Sequence, residues 1–338
     1  MGSLERYVDL VEQRGHDIGL DRTGTLTLLR TEEEWRWASA TVEADRRAGR
    51  RLELLSSSEL IDLEPAADPS LLGAMLDPLG ARAEPVAATT AFAREAVGAG
   101  ASILTDQSVE DIRPTAGGGW EVSTLAKGSG RVAVLGADAV IIAAGPWCRT
   151  LGAMAGLEIP IVAVRGQMWA SAPQAPLLRH AIAAAESALA WSNEPPDGDM
   201  PPSLTHRDER RLTRHLYGRQ RPGGEIVFGG DRVLTWDRTV DQDGITVNHG
   251  HVAELLPAVR QLPPARTWAG LMPFSIDGQP LIGPIPGHAG LFLAGGLASS
   301  GFGRGPMTGQ LIADLVLGRD PGHDTTSVAP GRRIGPAM

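Results

Sequence analysis

The stretch that decides the fold is GLFLAGGLASSGFGRGP, residues 290–306. Its apolar start predicts a short strand over 291–294, and its glycines predict a loop over 295–305. Pro306 is expected to open a helix that ends near Leu317. A glycine loop before a helix N-terminus presents free N–H groups and the positive end of the helix dipole, which suits a phosphate or a flat ring. The same pattern also occurs as a tight strand-to-helix connection without a ligand.

A second segment, DAVIIAAGPW at 138–147, points to the same kind of site. The continuous apolar run at 139–143 is typical of a parallel strand that is buried on both faces. Open α/β sheets bind ligands at the carboxyl ends of their strands, and small residues follow this strand there. The alternative is an ordinary core strand followed by a turn.

Several local patterns predict the remaining elements. Thr31-Glu-Glu-Glu34 is a capping box that starts a helix ending near Gly49. Pro85 opens a helix through Ala99, and Ala101 to Thr105 is predicted to be a strand. Residues 120–124 and 132–134 are expected to form a hairpin. The polar, proline-rich segment 195–211 is predicted to be a surface loop or lid.

Helix and strand patterns together predict an α/β (α+β) fold with two interleaved parts. A Rossmann-like, nucleotide-binding part takes residues 85–158 and 280–320. A substrate part built on an antiparallel β-sheet takes residues 15–84 and 159–275. Residues 321–338 are expected to form a flexible tail.

Composition limits the classes of function. The 338 residues carry a formal net charge of -9, which argues against nucleic acid as a partner, because phosphate binding needs a basic surface. The single cysteine, Cys148, cannot form an intrachain disulfide and fits a reducing compartment. The sequence lacks the run of roughly 18 to 20 apolar residues that spans a bilayer, and residues 1–15 lack the apolar core of a secretory signal. We expect a cytoplasmic protein with no metal site and no transmembrane segment; peripheral membrane contact stays open.

Polar residues in the middle of the chain are candidates for substrate binding. Tyr217 and Arg219 on one predicted strand could hold a substrate carboxylate by charge-assisted hydrogen bonds, and we predict these two as the catalytic residues. Arg165, in the segment VRGQM at 164–168, is a further candidate. The alternative for each arginine is an exposed charge at the surface or at a domain interface.

The ordered set of these segments resembles one family. AAGPW at 143–147 is followed by RGQM at 165–168, GEIVFGG at 224–230 and WAGLMPFSIDGQPLIG at 268–283. The final GFGRGPMTG at 301–309 completes the set. It resembles the FAD-dependent D-amino-acid oxidase family in its broad sense, which includes glycine and sarcosine oxidases and related dehydrogenases. The resemblance runs from near Leu4 to about Gly318.

The resemblance implies a flavoenzyme that oxidises the C–N bond of an amine or amino acid by hydride transfer to noncovalent FAD. It implies that Val109 lies near the adenine and that the isoalloxazine ring lies at the interface of the two parts. The implied cofactor-binding residues are Val109, Ala143, Ala144, Gly145, Trp147, Gly270, Gly296, Gly301, Phe302 and Gly303.

Three features depart from the family pattern. The 338 residues contain no Gly-x-Gly-x-x-Gly motif, so the first βαβ unit and its diphosphate site are not in this sequence. Met272 stands where many family members carry the arginine that binds the substrate carboxylate. No cysteine lies near Gly270, where sarcosine oxidases attach their flavin covalently.

These departures leave three hypotheses. The chain is a catalytic oxidoreductase read as a fragment, or a subunit that has lost FAD and binds a partner chain. In the third, a partner chain supplies the unit that this sequence lacks. Because an absent central strand leaves an apolar sheet edge exposed, we expect weak or no FAD binding by this chain alone, and a homo-oligomer or partner chain over that edge.

Overall fold

The computed structural model describes residues 2–194, 197, 198 and 200–334. The eight α-helices of this part of the chain are α1 Gly2–Glu12, α2 Glu32–Arg47, α3 Ser57–Leu63, α4 Pro85–Gly98, α5 Cys148–Met154, α6 Ala185–Ser192, α7 Gln242–Leu255 and α8 Gly301–Val316. The sixteen strands are β1 Thr25–Leu29, β2 Glu53–Ser56, β3 Gly73–Asp77, β4 Gln107–Pro114, β5 Trp120–Ala126, β6 Val132–Ala137, β7 Val140–Ile142, β8 Ile161–Ala170, β9 Ala181–Ala184, β10 His206–Arg207, β11 Arg210–Arg211, β12 Tyr217–Gln220, β13 Ile226–Leu234, β14 Arg266–Ser275, β15 Leu281–Pro284 and β16 Leu291–Gly295. The mixed α/β prediction is therefore confirmed.

The largest sheet has eight strands in the order β14-β8-β13-β12-β9-β1-β3-β2. All neighbours are antiparallel except β1 and β9. Trp169 on β8 and Phe228 on β13 point to the face that α7 covers, and both are fully buried. The indole of Trp169 donates to the side chain of Asn248 on α7 at 2.8 Å. On the opposite face of β14, β8 and β13, Leu204 covers the end with Val164 and Phe274, whereas Gly270 is exposed, so a ligand could reach that face only near Gly270.

Two three-stranded sheets pack around a second core. In one, β16 pairs in parallel with β7 and antiparallel with β15. The other is the antiparallel sheet β4-β5-β6. Ile142, Leu281, Leu291 and Leu293 are buried in the core that these strands share with Trp120. The predicted hairpin is confirmed as β5 and β6.

The capping box predicted for α2 is also confirmed. The Glu34 amide donates to the Thr31 hydroxyl at 3.2 Å, and the Glu34 carboxylate accepts from the Thr31 amide at 3.1 Å. The reciprocal bonds satisfy donors that a helix start would otherwise leave unpaired. The sequence signal therefore placed the beginning of α2 at the correct residue.

The strand predicted at residues 101–105 is wrong. These five residues are exposed and form no ladder in the described part of the chain. An apolar run becomes a strand only where a neighbouring strand supplies hydrogen bonds. No strand pairs with residues 101–105, since β7, at the edge of its sheet, pairs with β16 alone among the described residues. Ile103 and Leu104 remain in contact with solvent.

The last helix begins earlier than predicted. It starts at Gly301, so Pro306 lies inside the helix and not at its first turn. Proline has no N–H to donate to the carbonyl four residues earlier, which is that of Phe302. The Tyr7 hydroxyl donates to that carbonyl at 2.7 Å, and the Tyr7 ring stacks on the Phe302 ring. Contacts from α1 therefore allow the helix to tolerate its proline.

The tail predicted to be flexible makes specific contacts up to residue 334. Arg332 pairs with Asp277 at 3.0 Å, and Ile334 is buried. The rest of that tail, residues 335–338, lies outside the described residues, as do 195, 196 and 199 of the predicted loop. No helix in the described ranges is long and apolar enough to cross a membrane.

Candidate functional site

Two glycines face each other across the edge strand β14 and its neighbour β8. Gly166 on β8 lies directly opposite Gly270 on β14. A Cβ at Gly270 would meet no atom within 4 Å, whereas one at Gly166 would lie 2.8 Å from Cε of Met272. A flat group can therefore lie against the backbone at Gly270, with Met272 at its edge.

The start of α8 lies beside this surface. Residues 298–300 form a single 3-10 turn that packs against β14, and Phe274 bridges to Leu297. Ala298 adopts φ 52°, a left-handed conformation that is uncommon for residues other than glycine. Gly301 and Gly303 carry no side chain in the first turn of α8. The positive end of the helix dipole is therefore open to a ligand.

A third element, the turn after β7, completes the site. Gly145–Trp147 packs against β8 and β14. Gly145 has φ 56° and nothing within 4 Å of its Cβ position. The Trp147 ring is 49% exposed and lies 6.2 Å from the ring of Trp236. Half-exposed aromatic rings beside bare glycines form a surface that an isoalloxazine ring could cover.

The structure brings most of the predicted cofactor-binding residues together at β14. Gly145 and Trp147 reach it from one side, and Gly301 lies beyond the turn that packs against it. Ala143 and Ala144 lead into the first turn, Gly296 precedes the second, and Phe302 and Gly303 lie in the first turn of α8. Val109 is not among them: it lies on β4 and packs against the core around Ile142, so its position beside the adenine stays a prediction.

Tyr217 and Arg219 lie on β12, on the same face of the sheet as Gly166 and Gly270. Tyr217 is opposite Gly229, and its side chain is 46% exposed. Arg219 is already paired: its guanidinium donates to the Glu84 carboxylate and the Ala83 carbonyl, both at 2.9 Å. Burial lowers the pKa of Arg219. Burial raises the pKa of Glu84, but Arg221 and Arg219 outweigh it and lower that pKa overall. A substrate carboxylate at Arg219 would therefore compete with Glu84.

Arg232 is a residue that the sequence interpretation missed. It stands opposite Gly166, and its guanidinium lies 4.2 Å from the centre of the Trp191 ring. The sequence offered one signal: Arg232 follows Gly229-Gly-Asp231 in a strand that begins and ends with apolar residues. The charge alone, however, did not indicate which face of β13 it occupies.

The single thiol of the chain takes no part in this site. Cys148 is buried at the start of α5, and burial raises its pKa to about 11. Because the thiolate is the reactive form, this thiol is inert near neutral pH. The described residues also contain no group of three or more His, Cys, Asp or Glu placed to hold a metal ion.

Comparison with known proteins gives the family. The family model described as FAD dependent oxidoreductase matches residues 2–315. A glycine oxidase of Geobacillus kaustophilus is 30% identical over 97% of this chain and 78% of its own. A D-amino acid dehydrogenase of Granulibacter bethesdensis is 26% identical over 98% of this chain and 73% of its own. A glycine oxidase of Pseudomonas aeruginosa is 32% identical, but the match covers only 46% of that protein.

Solved structures agree with the sequence comparison. The crystal structure of the Geobacillus kaustophilus glycine oxidase matches with a TM-score of 0.82 at 28% identity, over 98% of this chain and 81% of that one. L-proline dehydrogenase from P. horikoshii matches with a TM-score of 0.80 at 24% identity, over 98% and 81%, which shows the shared fold. The resemblance stated from the sequence is thus confirmed. The chain belongs to the FAD-dependent oxidoreductase family, the D-amino-acid oxidase family in its broad sense, and FAD is its cofactor.

Proposed function

We propose that this chain oxidises the C–N bond of an amine or amino acid. The observation that carries the proposal is the open backbone at Gly270, on the strand β14 against which both the Gly145–Trp147 turn and the turn before α8 pack. This surface fits the ring end of FAD, because glycines allow a planar group to approach the backbone closely.

FAD, when bound, supplies the acceptor for a hydride. The substrate loses that hydride from the carbon next to nitrogen and a proton from the nitrogen, and water hydrolyses the resulting imine to a carbonyl compound and an amine. Residues of this chain orient the substrate: Tyr217 presents a hydroxyl on the same sheet face, and Met168 and Trp268 restrict the space beside it. The open N-terminus of α8 would stabilise negative charge on a group bound above it.

The test is a spectrum of the purified protein with and without added FAD. We expect a flavin absorbance band that an amine bleaches in the absence of oxygen. Glycine, D-alanine, L-proline and iminodiacetate form a suitable panel, because similar proteins are named for such substrates. Gly270→Leu should weaken FAD binding, whereas Gly250→Leu, on the exposed side of α7, is the matched control.

Two results would contradict the proposal. A protein that stays colourless with excess FAD would point to the non-catalytic subunit considered from the sequence. A yellow protein that none of the amines reduces would leave the cofactor in place but remove C–N oxidation as the reaction.

A further inference from the structure

Arg232 is a largely buried cation without a carboxylate partner. Among residues 2–194, 197–198 and 200–334, no Asp or Glu lies within ion-pairing distance of it. Its contacts are neutral: the Ser203 carbonyl at 3.3 Å, the Ser299 hydroxyl at 2.9 Å and the His215 ring at 3.4 Å. Burial lowers the pKa of Arg232 to about 10, so the group stays charged at neutral pH. Buried charges are normally paired, so this cation is an exception that needs an explanation.

The His215 contact supplies no anion to Arg232. A guanidinium only donates, so Nε2 of His215 must accept, and the ring proton lies on Nδ1, which donates to the Ser187 hydroxyl at 2.7 Å. Burial and the Arg232 charge both lower the pKa of His215 well below its usual value. The imidazole is therefore neutral, and the positive charge of Arg232 is not compensated by it.

Besides His215, four segments meet at this guanidinium. Trp191 of α6 stacks on it, Ser203 of the 200–205 loop and Ser299 of the turn before α8 accept from it, and Phe274 of β14 lies 5.9 Å away. Three hydrogen bonds use three of the five N–H groups that an arginine carries. Two donors remain without a partner among the described residues and are available to a ligand.

We propose that Arg232 binds the carboxylate of an amino-acid substrate, the task that Met272 cannot perform. This inference rests on the proposed function. Arg232 stands opposite Gly166, and Met272 reaches over the same glycine from β14, so both side chains lie on one face of the sheet. The stacked Trp191 ring holds the guanidinium plane, and a carboxylate would neutralise the buried charge with charge-assisted hydrogen bonds.

The test uses propionate as the carboxylate probe and propionamide as its neutral counterpart, measured by isothermal titration calorimetry on the full chain. We expect propionate to bind more tightly than propionamide. Arg232→Met should weaken propionate binding by about tenfold to a hundredfold, the usual effect of a hydrogen bond to a charged group. Propionamide binding should not change. Arg47→Met is the matched control, because Arg47 is exposed on α2 and pairs with Glu43, and it should leave propionate binding unchanged.

Two outcomes would overturn the assignment: equal binding of propionate and propionamide, or unchanged propionate binding in Arg232→Met. If Arg232→Met does not fold, NMR provides the test. The arginine Nε–H signal of Arg232 is identified by its absence from the spectrum of Arg232→Lys. This signal must shift in the wild-type protein when propionate is added, and an unshifted signal also overturns the assignment.

Turnover then separates this inference from the proposed function. With FAD bound, Arg232→Met should raise KM for amino acids but not for amines without a carboxylate. Carboxylate binding at Arg232 without amine oxidation would remove the proposed reaction alone.

Discussion

The eight-stranded sheet and the two small sheets differ in how well they are covered. On the large sheet, α7 buries Trp169 and Phe228 completely. On the small sheets, Ile141 of β7 is 41% exposed, and β6 exposes Val132 and Val134. Large contiguous apolar patches in water mark places where a ligand or another polypeptide segment packs, whereas single exposed apolar side chains are common. The large sheet therefore has a core that its own helices complete, whereas the small sheets retain apolar side chains in contact with solvent.

The largest expected effect tests this difference in coverage with substitutions of two isoleucines in short strands. Ile182 on β9 is fully buried, whereas Ile141 on β7 is not. Ile182→Ala should lower the free energy of unfolding by about 2 to 5 kcal/mol, because it leaves a cavity in the core. Ile141→Ala should change it by no more than about 0.5 kcal/mol. Urea unfolding measures both, and equal losses would show that the small sheets are as well packed as the large one.

A smaller effect concerns acid stability of the large sheet. His251 on α7 is 2% exposed; burial and Arg214 lower its pKa to about 4, against the opposing effect of Glu186. The unfolded histidine titrates near 6.5. Between about pH 6.5 and pH 4 the unfolded chain binds more protons than the folded chain. The free energy of unfolding therefore has its full value above about pH 6.5 and falls by up to about 3 kcal/mol as the pH drops toward 4.

Denaturant unfolding at pH 7 and pH 4.5 checks this expectation. His251→Gln should be less stable than the wild type at pH 7 but should lose less stability on acidification. His288→Gln is the control, since His288 is only partly buried, in the loop between β15 and β16. A wild-type pH dependence that persists unchanged in His251→Gln would assign the acid sensitivity to other groups, with buried His215 the next candidate.

The distance along the chain between an element and its partners explains which elements the sequence could predict. The capping box at Thr31 and the hairpin at Trp120 were predictable because their signals are local. The strand expected at 101–105 was not, because strand formation depends on a neighbour elsewhere in the fold. The helix start at Gly301 was missed for a related reason: the contact that tolerates Pro306 comes from Tyr7, almost three hundred residues earlier.

The candidate site also has one part that the sequence indicated and one part that it could not. The glycine segment 295–305 indicated a candidate ligand surface, because glycine allows a group to approach the backbone closely. Arg219 and Arg232 could not be distinguished from the sequence, because each is one arginine on a predicted strand. Only the structure shows Glu84 beside Arg219 and neutral groups around Arg232.

The smallest effect compares the starts of two helices. The N-cap Thr31 of α2 accepts from its own helix, whereas the N-cap Glu84 of α4 makes no capping bond because Arg219 and Arg221 occupy its carboxylate. Thr31→Ala should lower the free energy of unfolding by about 1 kcal/mol, and Thr31→Ser should lower it little, because serine caps as well as threonine. Glu84→Gln should lower the free energy of unfolding because it breaks ion pairs. Added salt should therefore reduce the stability difference between Glu84→Gln and the wild type, but not that between Thr31→Ala and the wild type. An equal response of both variants to salt would show that Glu84 stabilises α4 without its arginines.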